Sequence, residues 1–227
     1  MLSDFPFLTP AEFDTACRVF VGRVHALGSP GVLGWTSVRW QDRHHDEYQY
    51  NASSILKISK ALGPIDTSNE AGPHNHEDEL SVDQVEEDDN EALIRPACPA
   101  TRVEIEYSIT RSPTYQVPVL YFTWRHAPPA GPRGIDTVYT YLVPDQYKDE
   151  LKAVGVLGAI SMGDHPETGT PAYFVHPCNT ADALTQIAKD KDLDPESYLL
   201  LWFGLVGNCV GLHLPRELLV SDNRQHP

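Results

Sequence analysis

The sequence predicts an α+β domain in which helices pack on one face of an antiparallel β-meander. Three observations point there. Apolar residues recur at helical spacing near the start, then fall into short β-rich runs broken by turn residues, then return to helical patterns. That order of helix, strands and helices is that of a layered α+β arrangement. A chain of 227 residues that is 41% hydrophobic and 22% charged is also long enough for one sizeable core. The reading is a single domain over residues 1–220, carrying a disordered acidic insert at 66–91.

The first helix opens at Thr9-Pro10-Ala11-Glu12. Thr9 is a cap, Pro10 suits the first helical position, and Glu12 completes a capping box. Phe13, Ala16, Cys17, Phe20, Val24 and Leu27 then form one apolar stripe, and Gly28-Ser29-Pro30 stops it. Residues 32–41 and 47–58 are predicted strands. Arg102–Thr110 and Tyr115–Trp124 are rich in β-branched and aromatic residues, with RSPT as the turn between them. Pro118 has no N–H for a ladder, which predicts an edge strand or a bulge. A further strand is expected over Thr137–Val143 and a helix over 145–160. The stretch SMGDHPETGTP that follows is a predicted loop. Ala172–Val175 is a strand and Thr180–Lys189 a helix. A very apolar last helix, capped by Asp194, breaks near Gly207-Asn208; Leu214-Pro215 ends the core, and the last residues fray.

The net charge of −15 is unevenly placed. Asp66–Glu91 holds eleven acidic residues and neither Lys nor Arg. So polar a segment buries too little apolar surface to offset its ordering entropy, hence the disordered insert, and deleting it should leave the domain folded. The acidity argues against nucleic-acid binding, because phosphate would be repelled. His74 and His76 lie in the insert without rigid elements to hold a metal; no metal and no cofactor is expected. The longest apolar run, Tyr198–Gly207, is about half a bilayer span, and the start carries no secretory pattern. The expectation is a cytoplasmic protein without a membrane anchor. The four cysteines, Cys17, Cys98, Cys178 and Cys209, form no CxxC and stay reduced there. Cys17 and Cys209 are expected as buried small hydrophobes, and Cys98 as a loop residue.

One cysteine stands apart. In FVHPCNTADAL, Cys178 follows a strand and precedes a helix. Taken with YQVPVLYF (Tyr115–Phe122), HPETGTPAYFVHP (His165–Pro177), Thr180 and WFGLVGNCVGLHLP (Trp202–Pro215), it makes the C-terminal half resemble the autophagy-related protein ten family of E2-like conjugating enzymes. The first hundred residues match only in outline. The resemblance implies an E2-like (UBC-like) fold without several peripheral helices of ordinary ubiquitin E2 enzymes. It implies that Cys178 accepts a ubiquitin-like modifier, autophagy-related protein twelve, as a thioester. The donor would be an E1-like activating enzyme, autophagy-related protein seven, and the protein acceptor a lysine of autophagy-related protein five. The family uses hairpins and sheet edges to meet partners, which makes Tyr115, Val117, Val119 and Tyr121 candidate contacts. Ordinary E2 enzymes carry His-Pro-Asn before the cysteine, and that Asn stabilises an oxyanion or orders a loop. Here His165-Pro166 is followed by Glu167, and a carboxylate cannot donate to an oxyanion.

Acyl transfer through sulfur needs a thiolate, then attack by an amine. A helix N-terminus favours negative charge and supplies N–H donors for an oxyanion. Pro177 shapes the turn but cannot donate. His176 is read as pointing away from the sulfur rather than as its base, and His165 as closing the loop by hydrogen bonds. Asn179 and Thr180 can donate to an oxyanion, and at least one is expected to cap the helix; Asn208 is a weaker candidate. Glu167 or Asp164 could deprotonate the incoming lysine, against a default of solvated loop carboxylates. Three alternatives stay open: a lipid-conjugating autophagy E2 of the autophagy-related protein three type, passing its modifier to phosphatidylethanolamine; a cysteine hydrolase using Cys178 with His176 or His213; and a non-catalytic binding module.

Overall fold

The computed structural model describes residues 1–42, 54–62, 103–126, 134–154, 160–189 and 192–219. The acidic insert at 66–91, Cys98, residues 47–53 of one predicted strand and the tail after 219 lie outside the described residues.

Helix α1 (Pro10–Ala26) starts with the full capping box: Glu12 N–H donates to Thr9 Oγ1 at 3.2 Å and the Glu12 carboxylate accepts from Thr9 N–H at 2.8 Å. Six strands follow, β1 (Ser37–Gln41), β2 (Ile55–Ala61), β3 (Glu104–Arg111), β4 (Pro118–His126), β5 (Ile160–Asp164) and β6 (Pro171–Val175). They form one antiparallel sheet in the order β1-β2-β3-β4-β6-β5. The meander therefore holds for β1 to β4, but β6 lies between β4 and β5. Helices α2 (Ile135–Tyr141) and α3 (Asp145–Val154) lie between β4 and β5 in the chain, and α4 (Thr180–Ala188), α5 (Pro195–Val206) and α6 (Arg216–Leu219) follow β6.

The core lies between the helices and one sheet face. Alternation along the strands puts Leu56 and Ile58 of β2, Ile105, Tyr107 and Ile109 of β3, and Leu120 and Phe122 of β4 against Phe20 of α1 and Trp202 and Phe203 of α5. Phe20 and Phe203 stack with ring centroids 5.0 Å apart. The tail motif has a packing cause. A Cβ on Gly207 would meet the Leu212 carbonyl oxygen at 2.6 Å, and Gly211 takes a φ of +72°. The turn so formed is bound to the sheet by Tyr107 Oη donating to Val210 O at 2.7 Å and Lys60 Nζ donating to Gly211 O at 2.8 Å.

Several expectations are corrected. Residues 135–141 are helix, not strand: Thr137 and Val138 turn into the core, and packing overrides their β preference. Ile160–Asp164 is a strand, because it pairs along its whole length with β6. Residues 30–33 form a 3-10 turn before β1. Pro118 marks no bulge; it is the first residue of β4, on a stretch that β3 pairs on one side and β6 leaves open on the other, as the edge reading expects. The core runs past Pro215, since Leu218 is buried and its carbonyl accepts from Arg23 Nη1 at 2.8 Å.

Asp194 caps α5, accepting from Glu196 N–H at 3.0 Å and Ser197 N–H at 2.9 Å. Burial pushes its carboxyl up, but these bonds and the Ser197 hydroxyl outweigh that and hold it below the usual carboxylate range. A depressed pKa stabilises the fold above the unfolded value of about 3.9 and the benefit is lost as pH falls through the folded value. The melting-temperature advantage of wild type over Asp194→Asn is therefore expected in full near neutral pH and to shrink as pH falls below the unfolded value and through the folded one. An advantage that did not change across a pH series of thermal melts would contradict this.

Candidate active site

Cys178 lies in a 3-10 turn (Pro177–Asn179) that joins β6 to α4. It is half-buried, neither sealed like Cys17 nor fully open. Pro177 is buried and fixes the approach. His176 caps the turn: its Nδ1 accepts the backbone N–H of Cys178 at 3.2 Å. That nitrogen's lone pair is therefore directed at the backbone, and the Cys178 N–H is engaged rather than open to an oxyanion. The His176 ring stands edge-on to Tyr115, centroids 5.7 Å apart, and against Phe174 at 6.1 Å. Asn179 is exposed at the N-cap of α4 and makes no side-chain capping bond. Thr180 is buried, with its N–H donating to Pro177 O. The expected side-chain cap from Asn179 on α4 is therefore not made, and the histidine cap belongs to the 3-10 turn before it.

The β5–β6 loop folds back across the sheet face opposite the helices. His165 is buried; its N–H donates to Thr170 O at 2.8 Å, its carbonyl accepts from Gly169 N–H at 2.9 Å, and its Nδ1 accepts from Glu167 N–H at 3.2 Å. Its ring stands against Tyr121 at 5.6 Å. Glu167 is not a solvated loop carboxylate. It is ion-paired with Lys57 of β2, and the two side chains are only 13% and 14% exposed. Asp164 is exposed at the end of β5. The sequence reading missed Lys57. The available signal was one lysine inside the apolar strand ILKIS, where alternation sends it to the face away from the helices.

The structure separates the four candidate partner contacts. Val117 is 0% and Val119 3% exposed, so neither side chain is offered to a partner. Tyr121 is half-buried between His165 and Phe174. Tyr115 is 40% exposed and remains a surface residue beside the cysteine turn. On its β6 side, β4 is paired only at Tyr121 and Phe122, so pairing with a partner's strand is closed at those two residues.

Away from this turn, a cavity of about 870 Å³ lies beside α5, lined by Arg23, Leu200, Leu201, Leu205 and Cys209 among others. Cys209 is half-buried rather than fully buried, and its thiol donates to Leu205 O at 3.5 Å. Asn208 donates to Gly204 O and faces His213 Nδ1 at 2.9 Å, so its amide is committed to the α5 tail. Among the described residues no group of His, Cys, Asp and Glu is arranged to hold a metal, and no helix is long and apolar enough to cross a membrane.

Residues 12–217 match the family described as autophagocytosis associated protein, active-site domain. The ubiquitin-like-conjugating enzyme ATG10 of Gibberella zeae is 43% identical, over 97% of this chain and 99% of its own. The human enzyme of that name is 30% identical over 92% and 91% of the two chains. That of Dictyostelium discoideum is 27% identical over 52% and 55%.

Proposed function

This chain belongs to the autophagocytosis-associated active-site family and is an ATG10-type, E2-like ubiquitin-like-conjugating enzyme; from that premise we propose that Cys178 is the residue that carries the modifier. The supporting observation is its setting. Of the cysteines described, it alone lies at a strand-to-helix turn held by a histidine cap, half-buried and within the family match. Residues 1–220 act as one catalytic unit, with the acidic stretch 66–91 an appendage to it.

The reaction is two acyl transfers. In the first, the Cys178 thiolate adds to the modifier's C-terminal carbonyl, held as a thioester on the E1-like enzyme. The tetrahedral intermediate expels the E1 thiolate and leaves the acyl group on Sγ of Cys178. In the second, a lysine amine of the acceptor adds to that carbonyl, the Cys178 thiolate departs, and the amine's proton passes to solvent. Each intermediate puts negative charge on the carbonyl oxygen, where donors lower the barrier. With the Cys178 N–H bonded to His176, we assign that work to the carboxamide of the next residue, Asn179, which is exposed and makes no capping bond. No histidine base is required, and His176 instead holds the turn. We assign autophagy-related protein twelve as modifier, autophagy-related protein seven as its E1-like donor, a lysine of autophagy-related protein five as acceptor, and the cytoplasm as the compartment.

The test is a charging reaction with the E1-like enzyme, ATP and the modifier. The wild-type adduct is expected to disappear under reductant. Cys178→Ser is expected to give an oxyester that survives reductant and yields to hydroxide. A reductant-sensitive adduct on Cys178→Ser would overturn the assignment. Offering the charged enzyme both the protein acceptor and phosphatidylethanolamine vesicles should consume the adduct only with the protein.

A further inference from the structure

The hairpin that delivers Cys178 is weakly attached to the rest of the sheet. β5 and β6 share five register pairs, but β6 meets β4 through only two, Tyr121 with Phe174 and Phe122 with Tyr173. A second attachment lies at the other end of the hairpin. Cross-strand register aligns Lys57, Ser108, Tyr121 and Phe174 in one row over β2, β3, β4 and β6. Partners in register share a face, here the one away from the helices. Glu167 reaches along this row to Lys57, two strands beyond Tyr121, where His165 of the same loop rests. Ser108 between them is small and buried, which leaves room for the loop to cross.

We propose that the Lys57–Glu167 ion pair is a clamp that fixes the β5–β6 hairpin to β2 and so positions Cys178. Both are positioning residues; neither touches the reacting atoms. The path from clamp to sulfur is continuous. Glu167 donates its N–H to His165, His165 packs on Tyr121, Tyr121 on Phe174 at 5.5 Å and Phe174 on His176, whose Nδ1 holds the Cys178 N–H. The carboxylate at this place cannot donate to an oxyanion, but a carboxylate sealed against one lysine sets a loop with more directional constraint than a solvated one. The clamp deepens the reading of Cys178 as the acyl carrier and rests on it only for its kinetic arm.

The test compares full-length wild type, Lys57→Met, Glu167→Gln and the double variant. Amide hydrogen exchange reads the hairpin directly, because local opening shows as local loss of protection. Exchange over residues 171–178 is expected to rise at least tenfold in each single variant, with α1 and α5 within twofold of wild type. In the charging reaction, kcat is expected to fall about tenfold while KM for the loaded E1 stays within twofold. Residues acting as one unit are non-additive, so the double variant should be no worse than the poorer single one. Exchange at 171–178 unchanged within twofold, a uniform rise over the whole molecule, or single effects that multiply in the double variant would overturn the clamp. Should Lys57→Met fail to fold, the near-isosteric Glu167→Gln decides alone. If wild type did not charge at all, the acyl-carrier reading would fall, while the exchange arm would still decide the clamp.

Discussion

Cys178→Ala is expected to form no detectable covalent adduct with the modifier while melting within a few degrees of wild type. The change removes one sulfur from a half-buried position, and loss of so small a group there costs on the order of 1 kcal/mol. The chemical loss is of another scale, because alanine offers no atom that can hold an acyl group. Another cysteine could rescue the reaction only by being reachable and ionisable. Cys17 is neither: it is fully buried in α1, and burial, with a smaller contribution from Asp14, pushes its thiol well above the usual range. Cys209 is half-buried, and its thiol is turned toward the carbonyl of Leu205. A non-reducing gel of the charging reaction reads the outcome. An adduct at wild-type level in the alanine variant would move the acyl carrier elsewhere.

Phe203→Ala is expected to bring the largest loss of stability. Its ring is fully buried and stacks on Phe20 where α5 meets α1. Phe20 in turn lies against Trp35 at 6.1 Å, and Phe203 against Trp202 at 5.3 Å. Deleting such a ring costs about 3–5 kcal/mol, the sum of lost transfer energy and the cavity left behind. For a domain of this size each kcal/mol is worth roughly 2–4 °C, so the melting temperature should fall by about 6–20 °C. A fall under about 3 °C by calorimetry would mean that the α1–α5 contact is not the centre of the core, since even the low end of that cost would then be missing.

The parts of this fold that local chemistry determines are readable in the sequence. The Thr9–Glu12 box and Asp194 announce their helices, and the β-branched runs of β3 and β4 are strands as expected. The failures share a physical cause. IDTVYTY has the composition of a strand, but burial of Thr137 and Val138 makes it helix. ISMGD has the composition of a loop, yet β6 supplies a partner for every residue of it. A Cβ on its Gly163 would press on the Phe174 ring at 3.2 Å. Both outcomes depend on neighbours distant in sequence. The same holds at the active site. Cys178 stands out through its turn and its family resemblance, but nothing local says that His176 caps that turn or that Glu167 finds Lys57. Val117 and Val119 as contacts follow from the family's use of hairpins and sheet edges, but both side chains are buried, which the local sequence does not announce.

The most direct measurement is to identify the atom that bears the modifier. Charged wild-type enzyme, kept non-reduced, is digested and the branched peptide sequenced by mass spectrometry. The proposed role of Cys178 predicts the modifier's terminal carbonyl on the peptide containing that residue; finding it on the peptide of Cys209, beside the α5 cavity, would contradict the assignment.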